Sequence, residues 1–308
     1  MKPAPQTEMD EALGWCTSVL GPVEVMADHS KTHGGHDSST CRLHVSSGFC
    51  YLKVHQSESC WHSEVHAYER WASAFGDLAP RLLAVRDIAP LALVISELPG
   101  QIVEDARLPP SQEQAIWRTA GAALIALHDL GPGECFGPCL RDGTCAEANP
   151  RDAVEYISKR FTGQIERAIH AGAINADERH TVEAACRLIP AFEGEHPLAC
   201  HRDYCAANWL VSKAGTWAGV IDFEFAHWDV RVADFSRDPN WSWIRRPDLV
   251  EAFLEGYGRS FSPAEEQQLV VAHAEYALSA ILWGHEHAFY GFEREGRESL
   301  ARLASCLR

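Results

Sequence analysis

The hydrophobic pattern of this chain changes once, at Pro99-Gly100, and the change restricts the folds open to it. Ahead of that point the apolar residues come in short runs with strand spacing, at 23–27, 41–45, 49–54, 81–86 and 91–97. Helical spacing interrupts them twice. A short helix is expected from Glu8 to Leu20, closed by Gly21-Pro22. A second is expected from Ser63, as its cap, to Phe75, with Val65, Tyr68, Trp71 and Ala72 on its inner side. Beyond the break helices dominate. Ser111–Leu130 places Ile116, Ala120, Ala123, Leu124 and Leu127 on one face, and further helices are expected at 151–171, 176–190 and, three or more, within 234–307. Two short strands, 208–211 and 217–222, lie between. The reading is an α+β chain of two lobes. Residues 1–97 form a strand-rich N-lobe with one internal helix, 98–308 a larger, mainly helical C-lobe, and a ligand cleft is expected at the linker.

The net charge of -16 argues against a nucleic-acid partner, because phosphate backbones attract basic surfaces. It suits a cationic ligand, and equally serves solubility. No apolar stretch approaches the roughly 18 residues that span a bilayer. Met1-Lys2-Pro3-Ala4-Pro5 leads into acidic residues without the apolar core of a signal peptide, so a cytoplasmic protein is expected. Of the eleven cysteines, Cys135, Cys139 and Cys145 lie close together but lack the C-x-x-C pairs of a zinc site. All are read as reduced, unligated thiols.

The chemistry concentrates in two segments, His201-Arg202-Asp203-Tyr204-Cys205-Ala206-Ala207-Asn208 and Ile221-Asp222-Phe223-Glu224. Phosphoryl transfer from a Mg-nucleotide needs one carboxylate to orient the acceptor hydroxyl, and an amide and a second carboxylate to hold the metal. Asp203 is the candidate for the first role, Asn208 and Asp222 for the second. His201 and Asp234 read as structural supports of the loop. Lys53, on an apolar strand, is the candidate phosphate-binding cation, with Glu64 preferred over Glu69 as its partner. Gly34 and Gly35, in the loop between the first two strands, could let backbone amides approach a phosphate, although no P-loop sequence occurs. Leu93–Gly100 reads as an edge strand running into the linker, where the Ser96 carbonyl and Leu98 amide could meet a purine.

These residues resemble the aminoglycoside phosphotransferase and choline kinase superfamily, which shares the protein-kinase-like fold. His201-Arg202-Asp203 with Asn208-Trp209-Leu210-Val211 is similar to its catalytic loop, and Val220-Ile221-Asp222-Phe223-Glu224 to its metal-binding strand end. Leu124-Ile125-Ala126-Leu127-His128 and Ser96-Glu97-Leu98-Pro99-Gly100 resemble its first large-lobe helix and its hinge. The resemblance implies ATP, with GTP as alternative, and Mg²⁺ as cofactors, Lys53–Glu64 as an ion pair, and a small-molecule hydroxyl as acceptor. Arg202 stands where that family more often has Gly. No A-P-E follows Asp222, and Glu224–Asp234 is too short for an activation segment, which argues against a protein kinase. Cys205 in the catalytic loop reads as a packing residue or an oxidisable thiol.

For the acceptor, Glu224, Trp228, Asp229 and Glu286 are the candidates, with His227, Trp241, Trp243, Trp283, His285 and Tyr290 as aromatic and polar neighbours. An antibiotic, aminoglycoside or other natural product, is the expected substrate. A metabolic kinase of choline, a sugar or an amino alcohol, or a catalytically silent nucleotide- or drug-binding protein, are the alternatives.

Overall fold

A computed structural model describes residues 4–29, 38–145, 148–237 and 245–307. In chain order the elements are α1 (Gln6–Leu20), β1 (Glu24–Asp28), β2 (Ser38–Val45), β3 (Gly48–His55), α2 (Glu58–His66), β4 (Leu82–Arg86), β5 (Ala92–Ser96) and β6 (Gln101–Ile102). They continue as α3 (Pro110–His128), α4 (Ala153–His170), α5 (Ala176–Cys186), β7 (Leu198–Cys200), β8 (Trp209–Val211), β9 (Trp217–Val220), β10 (His227–Asp229), α6 (Pro247–Tyr257), α7 (Pro263–His287) and α8 (Tyr290–Cys306). The chain divides into two compact units.

The first unit takes Met1–Arg107, Pro138–Ala146 and Ala206–His227. Its main sheet is antiparallel, in the order β1-β2-β3-β5-β4. One face carries Leu43, Val45, Leu52, Val54 and Val94 onto Ala12 and Cys16 of α1, all fully or nearly fully buried. Each such aliphatic side chain contributes about 1.5–3 kcal/mol of burial. β5 pairs with β3 on one side and β4 on the other, so it is an interior strand and not the expected edge. A second, three-stranded sheet, β6-β8-β9, holds the Asn208–Asp222 hairpin. Its packing depends on Gly219, at φ 137°, where a Cβ would lie 2.1 Å from the Leu78 carbonyl oxygen.

The helix expected from Ser63 starts five residues earlier. Ser57 caps it, accepting from the Cys60 amide at 3.3 Å, which frees Ser63 to be buried inside α2 beside Trp61 and Val65. Past His66 the chain continues as a π turn, Ala67–Trp71, and a 3-10 turn, Ala72–Leu78.

The second unit takes Leu108–Gly137, Glu147–Cys205 and Trp228–Arg308. α4 is amphipathic, burying Tyr156, Ile157, Phe161 and Ile165 with Asp152 as N-cap, and it shares a core with Val182 of α5, Leu278 and Ile281 of α7 and Leu300 of α8. α3 packs on α6 at Gly121, where a Cβ would meet the Phe253 carbonyl oxygen at 2.1 Å. β7 and β10 pair in a two-stranded sheet, and β7 ends directly before His201. No described helix is long and apolar enough to cross a membrane.

The cysteines depart from expectation at one place. Cys135 and Cys145 are disulfide-bonded, while Cys139 and the other described cysteines are outside any disulfide. The loop turns sharply between Leu140 and Thr144, whose amide and carbonyl pair at 2.9 Å, and this sends Cys145 back along the chain it came from.

Candidate active site

In the first unit the strand register of β3 decides which side chains meet. Lys53 and His55 share one face, and both reach Glu64 of α2. The Lys53 ammonium lies 2.6 Å from Glu64 Oε1, 2.7 Å from Asp222 Oδ1 and 3.6 Å from Glu224 Oε2. His55 Nε2 stands 2.9 Å from the second oxygen of Glu64. The Ser38 hydroxyl donates to Glu224 Oε2 at 2.8 Å. Glu69, the competing partner, instead faces Arg141 at 2.6 Å, so Lys53 belongs to Glu64.

One ammonium therefore faces three carboxylates, and the electrostatics follow. Burial acts to lower the Lys53 pKa, but Asp222, Glu64 and Glu224 together outweigh it and hold it well above the ordinary value. Burial raises the Glu64 pKa, yet Lys53 and His55 bring it below the usual carboxylate range. Glu224 is the loser: burial, and then the charge of Asp222, push its carboxyl up to about 8. Beside them the Tyr68 hydroxyl is buried with no hydrogen-bond partner among the described residues, its ring 5.1 Å from that of Phe223. Asp222 remains a third exposed and sits at φ 69°, left-handed backbone that costs a non-glycine residue about 1–3 kcal/mol. Asn208 is tied to the same hairpin, its carbonyl accepting from the Ile221 amide at 2.9 Å.

Of the other nucleotide candidates, Ser96 ends β5 with its amide on the Arg81 carbonyl at 2.8 Å, and Leu98 packs against Gly219 just past the strand. Gly34 and Gly35 lie outside the described residues, as do Trp241 and Trp243.

In the second unit, Asp234 organises the loop that begins at His201. Its side chain is fully buried and accepts the amides of His201 at 3.1 Å and Arg202 at 2.5 Å, together with His128 Nε2 at 2.9 Å. His201 is buried and its Nδ1 accepts from the Asp203 amide at 3.3 Å. Tyr204 anchors the loop to α3 through the Ala120 carbonyl at 2.8 Å. These bonds hold Arg202 at φ 64°. Asp203, about a sixth exposed, carries Arg237 Nε 2.5 Å from its Oδ1.

The acceptor candidates are scattered. Glu224 belongs to the Lys53 cluster. Asp229 is fully buried, with Arg160 Nη1 at 2.7 Å, Arg202 Nε at 2.8 Å and the Tyr156 hydroxyl at 3.1 Å, so it is an internal ion-pair node and not an acceptor-facing group. Trp228 lies against Gly133, where any Cβ would meet its ring at 2.5 Å. Glu286 is exposed and faces Arg167 at 3.2 Å. Sequence reasoning missed Ser38, His55, Arg160 and Arg237; only His55, two residues from Lys53 on one strand, had a signal in its spacing.

The backbone is that of the kinase-like phosphotransferases. A thermostable mutant of aminoglycoside phosphotransferase APH(4)-Ia, solved with AMP-PNP and hygromycin B, superposes with a TM-score of 0.72 at 15% identity, over 95% of this chain and 97% of that one. The gentamicin complex of APH(2")-IIa gives 0.62 at 15% identity, over 94% and 95%. The GDP complex of aminoglycoside 2'-phosphotransferase-IIIa gives 0.68 at 13% identity, over 97% and 99%. A search of curated proteins finds no match. In sequence the chain matches the phosphotransferase enzyme family over residues 30–269, and it belongs to that family. That family is one of phosphotransferase enzymes.

Proposed function

We propose that the protein transfers the γ-phosphoryl group of ATP, with GTP as alternative donor, to a hydroxyl of an antibiotic-like natural product and so inactivates it, in the cytoplasm. The observation that carries the nucleotide part is the cluster of Lys53 with Glu64, Asp222 and Glu224. Its negative charge exceeds its positive charge, the buried Tyr68 hydroxyl beside it has no hydrogen-bond partner among the described residues, and one carboxylate remains open to solvent. Such a donor set fits a hard divalent cation.

In this reading Asp222 and the Asn208 amide hold Mg²⁺, which when bound supplies neutralisation of the triphosphate charge. Lys53, fixed by Glu64, positions the phosphates, with Gly34 and Gly35 donating amides. The Ser96 carbonyl and Leu98 amide meet the base. Asp203 orients the acceptor hydroxyl and takes its proton as the new O–P bond forms and the bond to the β-phosphate breaks. Positioning and charge carry the rate, since little covalent work falls to the protein. The nucleotide and aminoglycoside complexes of the structural neighbours support this assignment.

The test measures nucleotide binding by thermal shift, and product formation with aminoglycosides, nucleoside antibiotics, peptide antibiotics and metabolic alcohols. Asp203→Ala should retain nucleotide binding while turnover falls by about 10²–10⁴. Wild-type turnover in that variant would remove Asp203 from the mechanism. Turnover confined to metabolic alcohols would replace the antibiotic assignment, and binding without any turnover would replace catalysis by a silent binding role.

A further inference from the structure

Asp203 is not held by backbone alone. Arg237, just past the 3-10 turn Arg231–Phe235, places Nε 2.5 Å from Asp203 Oδ1. Its Nη1 donates to the Tyr276 hydroxyl at 2.6 Å, which donates onward to the buried Glu295 at 2.9 Å. The guanidinium also lies 5.1 Å from the Tyr276 ring centre and 5.6 Å from that of Phe292. Two aromatic rings, one of them also hydrogen-bonded through its hydroxyl, fix this cation in place, and a planar guanidinium on a carboxylate oxygen restricts the carboxylate's rotation in turn.

The pair also changes what the site attracts. A carboxylate that has a guanidinium on one oxygen no longer presents a full negative charge to an incoming ammonium. Among the described residues the nearby acids Asp229, Glu275 and Asp234 are similarly committed: Asp229 to Arg160 and Arg202, Glu275 to Arg160, and Asp234 to two amides and His128. A polycationic acceptor needs a spare carboxylate for each ammonium it brings out of water, because an ammonium left unpaired in a partly buried site loses its hydration without replacement. Hydroxyls ask for less. A cavity of about 100 Å³ opens beside Arg202, lined among others by Gln164, Ser236, Tyr276 and Ser279, and the Gln164 Oε1 atom there is buried without a partner among the described residues.

We propose that Arg237 is the positioning residue for Asp203, and that it turns the acceptor site toward uncharged hydroxyl compounds and away from polycations. This rests on the phosphotransferase reading above and narrows its acceptor.

The experiment uses water as the uncharged acceptor and gentamicin as the polycation. Mg-ATP hydrolysis is followed in wild type, Arg237→Ala and Arg237→Lys, and gentamicin binding is titrated calorimetrically with Mg-AMP-PNP present. Arg237→Ala should lower kcat about tenfold with KM for ATP within about twofold, and Arg237→Lys should recover part of kcat. Gentamicin should bind Arg237→Ala about tenfold more tightly than wild type. Unchanged kcat in the folded alanine variant, or gentamicin bound as tightly by wild type, overturns the proposal. If the alanine variant does not fold, Arg237→Gln takes its place under the same criteria. A wild-type protein that neither binds nor hydrolyses Mg-ATP sinks the phosphotransferase reading, and this inference with it; ATP-competent wild type with indifferent Arg237 variants sinks the inference alone.

Discussion

Glu224 is a buried carboxyl held against its charged form, and removing its charge gives a quantitative test of the cluster. Its carboxyl is pushed up to about 8 by burial first and by Asp222 second, against an ordinary value of 4.5. The folded protein thus binds a proton that the unfolded chain has released, and stability falls wherever that holds. The contribution is intact below about pH 4.5, declines through the interval and is gone above about pH 8. Over the whole interval this amounts to about 5 kcal/mol. Glu224→Gln keeps an acceptor for the Ser38 hydroxyl but never ionises. The variant should therefore match wild type near about pH 5 and melt several degrees higher at about pH 9, at roughly 2 °C per kcal/mol for a chain of this length. The measurement is the difference between two melting curves across a pH series without divalent metal, so that other titrating groups cancel. Adding Mg-ATP should narrow the gap, because a bound cation turns the surplus carboxylate into an asset. A difference in Tm that stays constant with pH would mean that Glu224 is ionised throughout, and the charge accounting of the cluster would be wrong.

Two further changes probe the supports of that cluster. His55→Ala leaves a fully buried Glu64 oxygen without its partner and should cost about 1–3 kcal/mol in chemical denaturation, with part of the loss recovered by His55→Gln; no loss would show that Lys53 alone satisfies Glu64. Gly219→Ala puts a Cβ into the Leu78 carbonyl on left-handed backbone and should cost about 3 kcal/mol or more, while weakening Mg-nucleotide binding through Asp222 three residues on; a stable variant with unaltered binding would mean that β9 can shift without disturbing the hairpin.

Elements with strong periodicity are legible in the sequence. β2, β3, β5, α3 and α4 fall within a few residues of their expected limits: α3 and α4 each bury one face that is written in the spacing, and the strands are short apolar runs bounded by turn residues. The start of α2 was not legible, since Ser57 and Ser63 are equally good caps and only the burial of Trp61 decides between them. β5 is interior because it pairs with β4, which precedes it across a short loop, and also with β3, much earlier in the chain; that second, long-range pairing leaves no mark in the local sequence. The Lys53–Glu64 pair was legible as a type of contact. Its extension to His55, Asp222 and Glu224, like Arg237 on Asp203, depends on long-range packing between residues whose own segments look ordinary.

Arg202 shows how such a contact can decide the identity of a residue. At φ 64° it occupies backbone that glycine enters without penalty, and the resembling family more often has glycine there. An arginine in that conformation costs about 1–2 kcal/mol. Two contacts offset it. Its amide is held by Asp234 at 2.5 Å, which would serve any residue, and its guanidinium lies 2.8 Å from Asp229, which only a long cation can reach. Asp229 is fully buried and already faces Arg160, so a second cation spreads its charge over both arginines and the Tyr156 hydroxyl. The arginine at position 202 is therefore explained by a carboxylate 27 residues downstream and not by the chemistry of phosphoryl transfer. The arginine that in protein kinases commonly meets a phosphorylated activation loop here closes an ion-pair node beside the loop that carries Asp203.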